Sequence, residues 1–221
     1  MPMNKTGYMV VLEGGEGSGK SSALQAIGNA LAGLFPRREI IRTREPGGSK
    51  TAEAIRKILV SKRSEPMPLS TELLLFAAAR ASHVERTIRP ALTKGAIVLS
   101  DRFSLSTEAY QGAGHGADLA MLETVDAFAR QGLQPDLTLV LDIDPRIGLA
   151  RSQKRATDAT HFESLGNGFH DRVREHFRRK ALSHPDVVLV DANRNLGDVH
   201  QTCLSIIISR MQARMSEPPA G

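Results

Sequence analysis

The chain has a single cysteine, Cys203, and no tryptophan. One thiol excludes both a disulfide framework and a cysteine-rich metal centre, and its apolar helical surroundings fit a reducing, cytoplasmic setting. The seven histidines show no H-E-x-x-H or similar ligand spacing, which argues against a protein-held zinc. Aromatic residues make up only 4% of the chain, and acidic residues are interleaved with basic ones, so the net charge of +5 does not describe a stacking, cationic nucleic-acid surface. A small polyanionic ligand accounts for the balance, and no nucleic-acid partner is expected. No apolar run nears the ~20 residues that span a bilayer, and the N-terminal residues lack a signal-peptide core, so no membrane partner is expected. With no long linker or internal repeat in 221 residues, the chain reads as one domain over 1–213 and a flexible tail over 214–221.

What the sequence does have is a glycine-rich loop. Gly14-Gly15-Glu16-Gly17-Ser18-Gly19-Lys20-Ser21 is a G-x-x-x-x-G-K-[ST] pattern placed between a β-rich run and a helical one that opens at Ser22. Backbone N–H groups in such a loop cradle phosphate oxygens, the lysine reaches the outer phosphates and the hydroxyl ligates Mg²⁺. The residues 14–22 are therefore the expected nucleotide-binding segment. In the following helix Leu24, Ile27, Leu31 and Leu34 recur at helical spacing and predict its buried stripe.

Five β-like runs, at 8–13, 39–44, 96–100, 137–142 and 187–191, are separated by helical sequence. The alternation predicts an α/β fold, a five-stranded parallel sheet flanked by helices on both faces, because parallel strands need crossovers and both faces must be covered. Ligands then bind beyond the carboxyl ends of the strands. The polar clusters do follow strand ends: the glycine loop, then Thr43-Arg44-Glu45-Pro46-Gly47-Gly48, then Asp101-Arg102, then Asp191-Ala192-Asn193-Arg194.

Each cluster has two readings. Arg44 at its strand end either binds phosphate or is solvated. Asp101 either holds Mg²⁺ through water, with Arg102 clamping a phosphate, or caps the next helix with Arg102 as its ion partner. Over residues 70–94, Leu73, Ala77, Ala81, Val84, Ile88 and Leu92 form a core stripe. Phe76 and Arg80, four apart, share an adjacent face that suits a nucleobase, or are a core ring beside a surface cation. Ser106, Thr107, Tyr110 and Gln111 offer polar groups near the same mouth. Arg151 and Arg155 lie one turn apart at the start of a segment, about 151–167, that reads either as a lid over phosphates or as a charged solvated face.

In order, G-G-E-G-S-G-K-S, T-R-E-P-G-G, F-A-A-A-R, D-R-F-S-L-S-T-E-A-Y-Q-G and P-D-L-T-L-V-L-D resemble the thymidylate kinase family of P-loop nucleoside monophosphate kinases, from about Tyr8 to Asp191. The resemblance implies transfer of the ATP γ-phosphoryl group to dTMP, with Mg²⁺, in a cytoplasmic homodimer. It implies that Lys20 and Ser21 hold ATP phosphates and, with Asp101, the metal. Asn193 and Arg194 would lie by adenine, and Glu16 near the deoxyribose 3′-hydroxyl. Arg44 and Arg102 would bind the acceptor phosphate. Phe76 would stack on thymine, Arg80 and Thr107 would reach its polar edge, and Tyr110 would crowd a 2′-hydroxyl, with Pro46, Ser106 and Gln111 in the same pocket. Some members carry an arginine in the loop where this chain has Gly17, so the resemblance is to the bacterial type whose catalytic arginine comes from the lid, here Arg151 or Arg155. Two positions depart from the pattern, His161 and His115, where the family has arginine. Another monophosphate kinase with a shifted base pocket, or a nucleotide binder without turnover, are the alternative readings.

Overall fold

The computed structural model describes residues 6–61, 65–153 and 165–216. The expectations for Arg155 and His161, and most of the lid segment 151–167, lie outside the described residues. All five apolar runs are strands: β1 (Tyr8–Glu13), β2 (Ile40–Arg44), β3 (Ile97–Asp101), β4 (Leu137–Asp142) and β5 (Val187–Asp191). They form one parallel sheet in the order β2-β3-β1-β4-β5. β1 and β4 are buried at every position, which explains why they read as unbroken apolar runs rather than as alternation.

Side chains alternate between two cores. Tyr8, Val10 and Leu12 join Ile97, Leu99, Leu137, Leu139 and Leu141 under helices α1 (Lys20–Leu34) and α9 (Leu196–Ser216). Met9, Val11 and Val98 face the other way, toward Val84 and Ile88, which follow α3 (Leu69–His83), and toward Ala91 and Leu92 of α4 (Arg89–Thr93). Helix α2 (Lys50–Val60) packs on α3, and α3 also packs on α6 (Leu119–Arg130). A third cluster under α8 (Asn167–Ser183) joins Phe169, Val173 and Phe177 to Ala109 and Tyr110, just beyond the short α5 (Ser104–Thr107).

The α1 stripe is shorter than its spacing predicts. Leu24, Ile27 and Leu31 are buried, but Leu34, the last residue of the helix, is 55% exposed. In the 70–94 segment Leu73, Val84, Ile88 and Leu92 are buried as expected, while Ala77 and Ala81 are half-buried. The segment is not one regular helix. Residues Val84–Ile88 widen into a π-helical turn, with Arg89 N–H donating to the Val84 carbonyl, immediately before Pro90, which has no N–H to give. Helix α9 continues to Ser216, and Arg214, expected in the tail, instead donates to Asp136 at 2.6 Å. No helix among the described residues is long and apolar enough to cross a membrane.

Candidate active site

The parallel register brings the carboxyl ends of the strands into line: Arg44 pairs with Asp101, Leu12 with Asp101, and Glu13 with Val140. Every polar cluster singled out by the sequence therefore opens on one rim. At its centre the chain leaves β1 through Gly14, Gly17 and Gly19 with φ of +135°, +65° and +92°, a region that strains any other L-residue. No side chain caps α1 at Gly19, so its first N–H groups are left to take an anion.

Lys20 Nζ donates to the carbonyls of Gly14 and Gly15, each at 2.9 Å, and to Ser18 Oγ at 3.3 Å. Burial, with the nearby Arg102 guanidinium, brings its pKa down to about 8. Ser21 Oγ donates to Asp101 Oδ2 at 3.0 Å, which brings a hydroxyl and a carboxylate together at the foot of the loop. Asp101 ends β3 itself, so the helix-cap reading does not apply. Ser22 turns to α9, with His200 Nε2 3.3 Å from its hydroxyl. Asn193 is held by Asp191 and accepts from Asp144 N–H, while Arg194 is exposed and runs along α9 toward Thr202 and Asp198.

Beside the loop lies a cavity of about 160 Å³. Glu16, Pro46, Phe76, Arg80, Arg102, Ser106, Thr107, Tyr110 and Gln111, all read from the sequence as substrate contacts, line it together. Arg102 sits at the junction of loop and cavity. Its φ of +72° turns the side chain inward, where it donates to the Gly14 carbonyl at 3.2 Å, Ser106 Oγ at 3.0 Å, Glu16 Oε1 at 3.0 Å and Tyr110 Oη at 3.1 Å. Burial would push the Glu16 carboxyl up, yet Arg102, Lys20 and the Tyr110 hydroxyl hold it below the usual carboxylate range.

The geometry departs from the sequence reading, or adds to it, at three places. Arg44 is exposed and pairs with Glu53 at 3.1 Å, so it does not line the cavity. Arg56 takes that place from α2, donating to the Pro46 carbonyl at 2.9 Å. The spacing held a signal: Arg56 lies four residues after buried Ala52 and three before buried Leu59, on the inward face. Arg80 is no surface cation. It is 3% exposed, donates to Glu45 at 2.8 Å, to Thr107 Oγ1 at 3.0 Å and to Asp126, and lies over the Phe103 ring. Glu45 is also met by His83 Nδ1 at 3.0 Å, and although burial opposes it, Arg80 and His83 hold its carboxyl below the usual range. The third is Glu13, wholly buried, which accepts from the N–H groups of Phe103 and Ser106 and from the Ser106 hydroxyl. Burial lifts its pKa to about 7 against the pull of Arg102. Of the lid arginines, Arg151 on α7 (Pro145–Gln153) donates to the Ala192 carbonyl at 3.3 Å. His115 is exposed, with its ring 4.8 Å from that of Phe169.

A family model described as thymidylate kinase matches residues 12–203. The chain belongs to the thymidylate kinase family. It is 45% identical to a thymidylate kinase of Pseudomonas fluorescens, over 91% of this chain and 95% of the relative. It is 41% identical to one of Caulobacter vibrioides, over 93% and 98%. The crystal structure of thymidylate kinase from Ehrlichia chaffeensis superposes with a TM-score of 0.75 at 26% identity, covering 91% of this chain and 98% of that one. The fold is thus that of a P-loop kinase, and the protein is an enzyme that phosphorylates dTMP with ATP as the nucleotide substrate.

Proposed function

We propose that the reaction runs across the junction held by Arg102, with ATP on the loop 14–22 and dTMP in the adjoining cavity. The observation that carries this is the shared side chain: the guanidinium that touches the loop at Gly14 and Glu16 also lines the cavity. An acceptor phosphate oxygen attacks the γ-phosphorus in line, the bond to the β-phosphate oxygen breaks, and dTDP and ADP result. The protein supplies alignment and charge neutralisation rather than a nucleophile. Lys20 holds the outer ATP phosphates. Arg102 and Arg56 hold the acceptor phosphate, with Arg56 in the role the sequence suggested for Arg44. Phe76 stacks on thymine. Arg80 and Thr107 reach its polar edge, since a guanidinium carries five N–H groups, more than its three protein partners use. Tyr110 stands against a 2′-hydroxyl, and Asn193 and Arg194 border adenine. Arg151 completes the charge on the transferring group from α7, with Arg155 further along the chain.

Mg²⁺ fits the chemistry of the donors. The Ser21 hydroxyl and Asp101 carboxylate are hard oxygens 3.0 Å apart, and among the described residues no group of three His, Cys, Asp or Glu forms a full protein cage. That is the environment of an ion that keeps several waters and shares phosphate oxygens. When bound, the ion neutralises charge on the β- and γ-phosphates.

We also assign the enzyme to the cytoplasm as a homodimer. Helices α3 and α6 pack together and expose Leu74 and Phe128, at 60% and 84%. Phe128→Glu should convert a dimer to a monomer in sedimentation velocity, and an unchanged sedimentation coefficient would move the interface elsewhere.

The site assignment is tested by an ADP-release assay with ATP–Mg²⁺ and dTMP, dUMP, UMP, dCMP, dGMP or AMP. Strong preference for dTMP supports the pocket as described. Preference for another acceptor would overturn the roles of Phe76, Arg80 and Tyr110.

A further inference from the structure

Helix α7 meets the phosphate-binding loop backbone to backbone. A methyl group built on Gly17 would stand 1.9 Å from the Gly148 carbonyl oxygen, and one built on Gly148 would stand 2.2 Å from the Glu16 carbonyl oxygen. Neither obstacle is the end of a flexible side chain that could swing aside. Ile143 Cγ2 closes the same spot at 3.2 Å from the Gly148 position. Gly148 is the buried residue of α7, whereas the adjacent Ile147 is 44% exposed. A helix usually docks by burying an apolar side chain, and a mid-helix glycine costs roughly 1 kcal/mol relative to alanine. The residue least suited to the helix therefore sits where the helix touches the loop, and closeness of approach is what it provides.

Arg151 lies three residues beyond Gly148 on the same helix, about 4.5 Å along its axis. A displacement of the Gly148 contact shifts the Arg151 backbone with it, since the two share one helical turn, and so moves the point from which its guanidinium, now donating to the Ala192 carbonyl, reaches out. We propose that Gly148 is a positioning residue: its seat against Glu16 and Gly17 sets the register of α7 on the phosphate loop and so the reach of Arg151 toward the transferring phosphoryl group. The proposal rests on the Arg151 role given above. The same contact excludes a side chain at position 17 while α7 is seated.

The test is a double-variant cycle of Gly148→Ala and Arg151→Ala, with kcat and KM for dTMP and ATP and with thermal melting as the control for folding. Alanine is the better helix former, so the substitution acts through the contact and not through helix propensity. Gly148→Ala should lower kcat at least about tenfold, with KM for dTMP within about threefold, because misplacement by about 1 Å can cost a hundredfold in rate. In the Arg151→Ala background the same substitution should cost much less. An unchanged kcat in Gly148→Ala overturns the proposal, as does a full loss repeated in the Arg151→Ala background. An unchanged kcat in Arg151→Ala alone instead removes the lid-arginine role itself, which separates the two failures. If Gly148→Ala does not fold, Gly17→Ala presses the same contact from the loop side. There too kcat should fall with little change in KM for dTMP, and a fall in binding alone would overturn the seat.

Discussion

Lys20 is 8% exposed, and its ammonium is bound to the carbonyls of its own loop. With its pKa brought down to about 8 by burial, the free enzyme carries the charge below that pH and loses it above. Polyphosphate binds the charged form, so ATP should draw in a proton near and above pH 8, and affinity should weaken as the pH rises further. Calorimetry at pH 8.5 in two buffers of different ionisation enthalpy reads the uptake directly, and identical heats would contradict it. In the cavity, Phe76→Ala should raise KM for dTMP about tenfold, the scale of a lost base stack, with KM for ATP nearly constant. Equal effects on both substrates would make Phe76 a packing residue. These two positions were legible in the sequence because the loop's spacing is itself the chemistry and because an aromatic and a cation four apart on a helix share a direction. The partners of Arg80 were not: Glu45 and Asp126 lie 35 and 46 positions away, and nothing local distinguishes a buried arginine from a solvated one. Arg44 lies outside the cavity and Arg56 inside it for a related reason, since a charge at a strand tip can turn to either side.

Among the elements, the strands were readable almost to the residue, because a sheet covered on both faces demands continuous apolar runs. The π-helical turn at Val84–Ile88 was not, for its apolar stripe keeps helical spacing through the irregularity. Helix α8 illustrates the limit of periodicity in another way. It is tied to the end of β4 by buried Asp142, which accepts from Arg174 at 2.6 and 3.0 Å and from Arg178 at 2.8 Å. The hydrogen bonds that Arg174 donates to Asp142, aided by the carboxylate's charge, raise the Arg174 pKa above its ordinary value. Asp142→Asn keeps the shape and removes the charge. Because both arginines stay partly solvated, the expected loss is about 2 kcal/mol, the scale of a charge-assisted hydrogen bond. Urea unfolding measures it, and a change below about 0.5 kcal/mol would show that α8 is held by Phe169, Val173 and Phe177 alone.

For the molecule as a whole, Glu13 couples stability to pH. Its carboxyl is raised to about 7 by burial, against an unfolded value near 4.5, so between those values the folded state holds a proton that the unfolded state has released. Stability from this group is therefore full below about pH 4.5 and is lost as the pH rises through about 7, by on the order of 3 kcal/mol. Glu13→Gln keeps an acceptor for the Phe103 and Ser106 N–H groups without the titration. Urea unfolding from pH 5 to 8 should show a decline in the parent that is flattened in the variant, and parallel curves would place the proton elsewhere. A buried glutamate at the end of an apolar strand gives no advance sign of this, because its partners come from the far side of β3.

Tyr8 opens β1 at the pole of the sheet opposite the phosphate loop, and α9 returns to that pole, where Arg214 binds Asp136 and lies 5.6 Å from the centre of the Tyr8 ring. Both ends of the described chain thus leave from the side away from the nucleotide mouth. Anchored by either end to a sensor chip, the enzyme presents its mouth to the flowing solution, and residues up to Arg214 belong in any shortened version made for that purpose.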